Sequence, residues 1–365
     1  MSTVVDAAAA PAAAAQGPAG VLAYYPGCSL HGTEPEYDES LRAVVEALGI
    51  AIAEIPDWNC CGASSAHTTD HLLSVALPAR NLALAEAAGF DRVLAPCAAC
   101  YNRLAAARLS VTEDADVREQ LPDILGRPFS NSVEVLSVAN LLREATADIA
   151  QKVAAPRQTP NPLVGVKLAA YYGCLLVRPP ELSGGDDPEQ PMFMDEVIAA
   201  CGAEAVDWNM KVECCGGAFS VSRTSSVLRM GRAIIEDARR QGAEALVVAC
   251  PLCHTNLDLR QKAMESRGKP RMPVLFITQV VGLALGLSPE TLGLKRHFID
   301  TRPLLADMSV RATQRVADEK KAAEEKAAKA AARAAKEAEA KADKAKAAGG
   351  GAAPAVAAPD GGGDS

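Results

Sequence analysis

Ten of the eleven cysteines in this chain of 365 residues form two sets with nearly the same spacing. Each set has a single cysteine, then two adjacent cysteines, then a C-x2-C motif. The spacings are C-x31-CC-x35-C-x2-C and C-x39-CC-x34-C-x2-C. The first set is Cys28, Cys60, Cys61, Cys97 and Cys100, and the second is Cys174, Cys214, Cys215, Cys250 and Cys253. Any fold must therefore bring together five thiols that lie far apart in sequence, and must do so twice.

The sequence around the cysteines is repeated as well. Residues 22–28 read LAYYPGC and residues 168–174 read LAAYYGC. The tripeptide Asp-Trp-Asn precedes each cysteine pair, at residues 57–59 and 207–209. Matches at several separate points indicate a duplicated domain rather than a chance motif.

Short apolar strands alternate with helical patterns in both copies, which predicts a parallel α/β sheet in each. We therefore predict an α/β fold of two tandem, duplicated Rossmann-like domains with mostly parallel sheets, related by pseudo-two-fold symmetry. Ligands of open α/β sheets gather beyond the carboxyl ends of the strands, where all three cysteine groups of each copy fall. Each C-x2-C motif also opens a helix, whose amino end stabilises thiolate. The predicted strands lie near residues 21–25, 50–55, 92–95, 133–138, 168–172, 246–249 and 274–277.

The composition changes at both ends of the chain. The first residues are rich in alanine and proline, and residues after about 308 are almost only alanine, lysine, glutamate and arginine. These changes predict a disordered leader, a charged helical tail that acts as a solvated spacer, and a disordered end. The predicted segments are a leader 1–20, an N-terminal domain 21–150, a linker 151–165, a C-terminal domain 166–300, a helical tail 301–348 and a disordered tail 349–365.

Charge and hydropathy exclude several classes of protein. A net charge of −8 argues against a nucleic-acid-binding protein, and no apolar run is long enough for a transmembrane segment. The amino end has no signal-peptide pattern, so we expect a cytoplasmic protein whose thiols stay reduced. Reduced cysteines in such sets are expected to be ligands of a metal or of an iron–sulfur cluster.

Three chemistries fit part of the pattern. Structural zinc takes four ligands, and each copy offers five thiols, although zinc in one site stays open as an alternative. A thioredoxin-like dithiol accounts for one C-x2-C motif per copy and for nothing else. An iron–sulfur cluster uses thiolates from separated parts of a chain, and glycines 62 and 216 after the pairs would let backbone pass close to it.

The cysteine pattern, with Cys60-Cys61-Gly62 and Cys214-Cys215-Gly216 within it, resembles the cysteine-rich CCG domains. Two such domains in one chain resemble the B subunit of the coenzyme B–coenzyme M heterodisulfide reductase, over about residues 21–290. The resemblance implies two non-cubane 4Fe-4S clusters, one held by each five-cysteine set, and a disulfide substrate between them. It also implies two partners, a ferredoxin-type iron–sulfur subunit and a flavin subunit.

The chemistry agrees with this resemblance, because disulfide cleavage takes two electrons and a cluster usually passes one. The alternative is a non-catalytic electron-transfer or anchoring subunit, since CCG domains also occur in subunits linked to the oxidation of succinate, lactate or glycolate. Zinc-stabilised scaffolding is the third possibility.

Other residues carry weaker predictions. Cys201 is expected to be a buried apolar residue, and Trp58 and Trp208 are expected to shield the clusters. His31 and His254 lie close to cysteines, and we expect structural roles for both. Four arginines could meet an anionic substrate but are left outside the site: Arg80, Arg103, Arg178 and Arg223.

Overall fold

The structure is a computed structural model that describes residues 20–63, 65–183, 186–217, 219–264 and 270–349. The chain divides into two compact units, Met1–Ala312 and Thr313–Ser365. The predicted disordered leader and the disordered end fall almost entirely outside the described residues.

The first half of the larger unit alternates strands and helices. Its strands are β1 (Val21–Tyr24), β2 (Ala51–Glu54), β3 (Arg92–Ala95) and β4 (Glu134–Ser137). Its helices are α1 (Gly27–His31), α2 (Pro35–Leu48), α3 (Ala66–Thr69), α4 (His71–Ala87), α5 (Ala98–Glu113), α6 (Ala115–Leu125), α7 (Val138–Glu144) and α8 (Thr146–Ala154). The first four residues of the predicted linker 151–165 are therefore helical.

The second half repeats this alternation. Its strands are β5 (Lys167–Tyr171), β6 (Glu204–Ala205), β7 (Ala245–Val248) and β8 (Val274–Phe276). Its helices are α9 (Phe193–Ala200), α10 (Phe219–Ser222), α11 (Thr224–Arg240), α12 (Pro251–Leu257), α13 (Gln261–Met264) and α14 (Ile277–Leu285), and α15 (Arg302–Gly349) follows. Two 3-10 turns lie at Pro180–Leu182 and Leu294–Arg296.

Each half has one four-stranded, all-parallel sheet. The strand orders are β2-β1-β3-β4 and β6-β5-β7-β8, so the two sheets have the same topology. The register runs, for example, Leu22 to Ile52 and Leu94 to Leu136. The prediction of two duplicated, Rossmann-like parallel sheets is confirmed. Because β2, β1 and β3 are neighbours, the three chain segments that follow them start at one edge of the sheet.

Apolar side chains hold the strands in place. The inner strands β1, β3, β5 and β7 are almost wholly buried, as their continuous runs of alanine, valine and leucine require for a sheet covered on both faces. Polar side chains define the helix starts at the surface. Asp114 caps α6 by accepting from the N–H groups of Asp116 and Val117, and Ser137 caps α7 in the same way.

The two halves pack through reciprocal helix pairs. Tyr37 of α2 stacks on Phe276 at the start of α14, with ring centroids 4.0 Å apart. Ser40 and Thr278 share a buried hydrogen bond of 2.7 Å across the same contact. On the opposite side, α7 of the first half packs against α9 of the second. The pairs exchange equivalent elements, as pseudo-two-fold symmetry requires.

The last helix begins inside the larger unit. Met308 and Ala312 are buried there, and Arg311 donates to Glu244 at 2.6 Å. From residue 313 the described part of the helix is mostly exposed and carries i,i+4 ion pairs such as Arg333–Glu337 at 2.9 Å. The helical tail is therefore confirmed, with its first turns packed against the core.

Candidate metal centres formed by the two cysteine sets

The fold gathers the first cysteine set at the carboxyl edge of its sheet. Cys28 lies in α1, directly after β1, and Cys60 and Cys61 lie in the loop after β2. Cys97 follows β3 and is the N-cap residue of α5, and Cys100 lies in the first turn of that helix. Five thiols from three separate segments therefore meet, as the strand positions predict.

Thiol contacts tie the first set together. The Sγ atoms of Cys61 and Cys100 are 3.3 Å apart. Cys28 lies close to Cys60, and Cys97 lies close to Cys100. A separation of 3.3 Å is too long for a disulfide, and it is near the roughly 3.8 Å between two thiolates on one tetrahedral metal ion.

The second set repeats these contacts one for one. Cys215 and Cys253 have Sγ atoms 3.6 Å apart. Cys174 lies close to Cys214, and Cys250 lies close to Cys253. The duplication has therefore preserved the arrangement of the thiols as well as their spacing.

The two sets are neighbours. The Cys97 thiol of the first set and the Cys250 thiol of the second lie close enough to shift each other's pKa, and both side chains are buried. Tyr37 lies beside this contact: burial raises its pKa far above the usual value, and the charges of Cys250 and Cys97 raise it further. The cysteine sets thus face one another across the interface between the halves.

The surroundings of the thiols favour thiolate at selected positions. The pKa of Cys214 is lowered to about 6, mainly by its hydrogen bond with Cys174. The pKa of Cys61 is lowered to about 7, mainly by its hydrogen bond with Cys100. Backbone groups also contribute, since the N–H of Gly216 donates to Cys214 Sγ at 3.3 Å. Such donors stabilise thiolate, which is the form that binds metal.

In each set, two of the five thiols are less buried than the other three. In the first set Cys28 and Cys60 are exposed, and in the second Cys174 and Cys214 are half-buried. The other six thiols are buried. A small molecule would therefore approach each set from the side of its single cysteine and the first cysteine of its pair.

Glycine makes room for the thiols at two positions that the sequence patterns did not single out. Gly27 and Gly173 adopt positive φ angles of 66° and 64°. A Cβ atom at either position would lie 3.1 Å from the Sγ of Cys100 or Cys253, respectively. These glycines precede Cys28 and Cys174, so they keep space free in the middle of each set.

The glycines that follow the cysteine pairs allow close packing of helices, and their predicted approach to a bound cluster stays a prediction. Gly62 and Gly216 also have positive φ, but a Cβ atom there would collide with Leu77 or Val227 on the neighbouring helix. The absence of a side chain therefore allows helix packing. Only the backbone N–H groups of these glycines approach the sulfur atoms.

Two tyrosines hold the cysteine-pair loops, and they were not predicted. Tyr25 donates to the backbone carbonyl of Asn59 at 2.8 Å, and Tyr171 donates to that of Glu213 at 2.6 Å. Both acceptors are the residue before a cysteine pair. The signal for them in the sequence was the tyrosine three residues before the single cysteine in both copies.

His254 belongs to a buried polar chain that joins the two halves. Its Nδ1 lies 2.8 Å from Oε2 of Glu34, and its Nε2 lies 3.2 Å from Nδ1 of His297. The amide of Gln279 donates to His297 at 2.8 Å. Burial lowers the pKa of His297 to about 3, whereas the pKa of His254 is raised by Glu34 although burial opposes its charge. The expected structural role of His254 agrees with these contacts.

Five other residues singled out in the sequence have contacts or positions of other kinds. Cys201 is fully buried away from both sets, and burial raises its pKa to about 12. His31 is exposed and contacts Glu54 and Trp58. Two of the four arginines form ion pairs, Arg80 with Asp57 and Arg178 with Glu189. A third, Arg223, precedes α11 and is exposed.

Comparison with known proteins identifies the repeat. The family described as "Cysteine-rich domain" (CCG) matches residues 22–105 and 168–258, which contain both cysteine sets. The chain belongs to the two-domain CCG family that includes the B subunit of heterodisulfide reductase. The resemblance inferred from the cysteine spacing is thereby confirmed.

Several relatives of known name align with this CCG chain over nearly their whole length. An 8-methylmenaquinol:fumarate reductase membrane anchor subunit of Wolinella succinogenes is 33% identical, over 78% of this chain and 98% of that protein. The B subunit of a ferredoxin:CoB-CoM heterodisulfide reductase of Methanosarcina mazei is 29% identical, over 78% and 96%. A protein of Archaeoglobus profundus described as like the B subunit of heterodisulfide reductase is 28% identical, over 72% and 90%.

The fold also recurs in a solved structure. A hypothetical protein from Helicobacter pylori superposes with a TM-score of 0.61 at 14% identity, over 78% of this CCG chain. This chain spans about half, 53%, of that protein. Within the described residues, no helix combines the length and apolar character needed to cross a bilayer.

The donor sets fit an iron–sulfur or metal centre. Each offers five thiols at one edge of its sheet, with one close sulfur–sulfur pair at 3.3 or 3.6 Å and a central space that a Cβ atom at Gly27 or Gly173 would fill. Thiolate-only sets of this kind suit iron–sulfur clusters and zinc.

Proposed function

We propose that this CCG protein is the iron–sulfur subunit of a heterodisulfide-reductase-like complex, and that it reduces or forms a disulfide bond between two non-cubane 4Fe-4S clusters. All ten repeated cysteines would be ligands, five for each cluster. The observation that supports this most strongly is the contact between Cys97 and Cys250, since it makes the two ligand sets neighbours.

The stoichiometry of disulfide chemistry favours two adjacent centres. Reduction of R–S–S–R′ takes two electrons and two protons and gives R–SH and R′–SH. A bound cluster would supply one-electron transfer and an iron atom able to bind a thiolate. The residues of the chain would hold two such centres side by side. The thiols of Cys28, Cys60, Cys174 and Cys214 are less buried than the other six.

We also propose that electrons arrive through partners, a ferredoxin-type iron–sulfur subunit and a flavin subunit, in the cytoplasm. This is supported by the sequence, which has no dinucleotide-binding G-x-G-x-x-G after the first strand and no C-x2-C-x2-C-x3-C run. The names of the Methanosarcina and Archaeoglobus relatives refer to subunits of heterodisulfide reductase.

The test begins with protein isolated without oxygen. Iron, acid-labile sulfide and zinc are measured per chain, and about eight irons with matching sulfide are expected. The complex is then supplied with reduced benzyl viologen and the coenzyme M–coenzyme B heterodisulfide, and thiol release is measured. Zinc with no iron, even after reconstitution, would contradict the proposal, and about four irons plus one zinc would support the single-zinc alternative.

A second function is favoured by one comparison. The Wolinella relative, at 33% identity, is a subunit of a fumarate reductase rather than of a disulfide reductase. A non-catalytic electron-transfer or anchoring subunit would also use two clusters. The same purified complex separates the two functions: eight irons without thiol release from the heterodisulfide, together with electron transfer to fumarate by its partners, would favour the second.

A further inference from the structure

The helices that carry the C-x2-C motifs differ at one equivalent position. Arg103 lies three residues after Cys100 in α5, and Asn256 lies three residues after Cys253 in α12. The same register places both side chains beside the second cysteine of a pair. The duplication has therefore put a cation next to one cysteine set and a neutral amide next to the other.

Asn256 is a neutral group with all its contacts in the second set. Its amide nitrogen donates to the backbone carbonyls of Cys215 and Gly217, at 3.3 and 3.0 Å. The same nitrogen lies 3.6 Å from Cys215 Sγ. It offers hydrogen-bond donors to this centre and brings no charge.

Arg103 brings a charge that no carboxylate balances. Its guanidinium is half-buried and donates to Asn102 Oδ1 at 2.7 Å, and among the described residues it forms no ion pair. Residues three apart lie on the same side of a helix, so Arg103 lies on the side of α5 that carries Cys100. Its field therefore reaches the first cysteine set.

A second difference between the copies also makes the surroundings of the first set more positive than those of the second. The residue before the cysteine pair is Asn59 in the first copy and Glu213 in the second. Glu213 directly precedes Cys214, so its negative charge lies beside the second set. Glu213 is exposed, so solvent screens it more than the half-buried Arg103. The first set thus has an added positive charge and the second an added negative one.

We propose that Arg103, and to a smaller extent Glu213, make the two cluster sites electrically unequal, so that the centre at the first cysteine set takes up an electron at a higher potential than the centre at the second. A nearby positive charge stabilises a centre that gains an electron, and a negative charge destabilises it. The inference rests on the proposed function, because it requires a cluster in each set.

The test is a potentiometric titration of the anaerobically isolated protein, followed by electron paramagnetic resonance. Wild-type protein should show two separate midpoint potentials. Arg103→Gln should lower the higher midpoint and leave the other unchanged, and Glu213→Gln should raise the lower midpoint by a smaller shift. Arg103→Lys retains the charge and should keep the higher midpoint closer to that of the wild type.

The result is decisive once each midpoint potential is assigned to a cysteine set and the iron content of each variant is measured. Cys60→Ser, which removes a proposed ligand of the first set, should abolish the signal with the higher midpoint; loss of the lower one instead would overturn the inference. Full iron content in Arg103→Gln with both midpoints unmoved would overturn it as well, and would leave the proposed function standing. Wild-type protein that binds no iron would overturn the proposed function and this inference together.

Discussion

The two cysteine sets have the same thiol contacts but different surroundings. In the first set the outer cysteines are exposed, and the neighbouring Trp58 is half-buried with its indole N–H on Glu54 at 2.8 Å. In the second set the outer cysteines are half-buried, and Trp208 is 2% exposed with its N–H on the carbonyl of Ala170 at 3.0 Å. Duplication has thus kept the cysteines and changed the residues around them, so differences between the two sets should come from those surrounding residues.

The contacts between the two halves also differ at equivalent positions. The residue after the last cysteine of each set reaches into the opposite half. Tyr101 donates to the carbonyl of Leu182 at 2.6 Å, whereas His254 pairs with the buried carboxylate of Glu34. One equivalent position therefore uses a neutral hydrogen bond and the other a buried ion pair.

The largest expected effect is the loss of iron from one cysteine set while the other keeps its iron. Cys61→Ser should remove the iron of the first set and Cys215→Ser that of the second, each lowering a total of about eight irons to about four. The matched control is Cys201→Ser, which lies outside both sets and should keep all the iron. Loss of all iron from either single variant would show that the sites depend on each other.

The next effect concerns the two contacts across the interface. Glu34→Gln should lower the free energy of unfolding by about 3 kcal/mol, because it leaves His254 buried without its charged partner. Tyr101→Phe should cost about 1 kcal/mol, since it removes one neutral hydrogen bond.

Urea denaturation followed by circular dichroism, on protein of equal iron content, measures both values. Equal losses for the two variants would contradict the distinction between a neutral contact and an ion pair.

The smallest effect concerns access to the two sites. With its outer thiols exposed, the first set should lose iron to a chelator severalfold faster than the second. Iron release from the wild type should then be biphasic when followed by absorbance. Cys60→Ser, which would retain only the second centre, should show the slow phase alone. A single rate in the wild type would mean that the difference in exposure has no effect on access.

The cysteine repeat predicted much of the candidate site. Parallel strands that end side by side bring Cys28, Cys61 and Cys97 together, so strand positions alone predicted the gathering of the thiols. The roles of Tyr25 and Arg103 were not predicted, since a tyrosine or arginine near a cysteine is common. Their meaning comes from the carbonyl that Tyr25 reaches and from the position of Arg103 on the helix that carries Cys100.

The sequence by itself determined the duplication, the parallel α/β sheets and the placement of each cysteine at a strand end, because these follow from local periodicity and spacing. Only the tertiary structure decided that Cys97 meets Cys250, and that Glu34 crosses to His254. Those contacts join segments more than a hundred residues apart, and no periodic pattern encodes them. They depend on how two apolar faces, on α2 and α14, pack against each other.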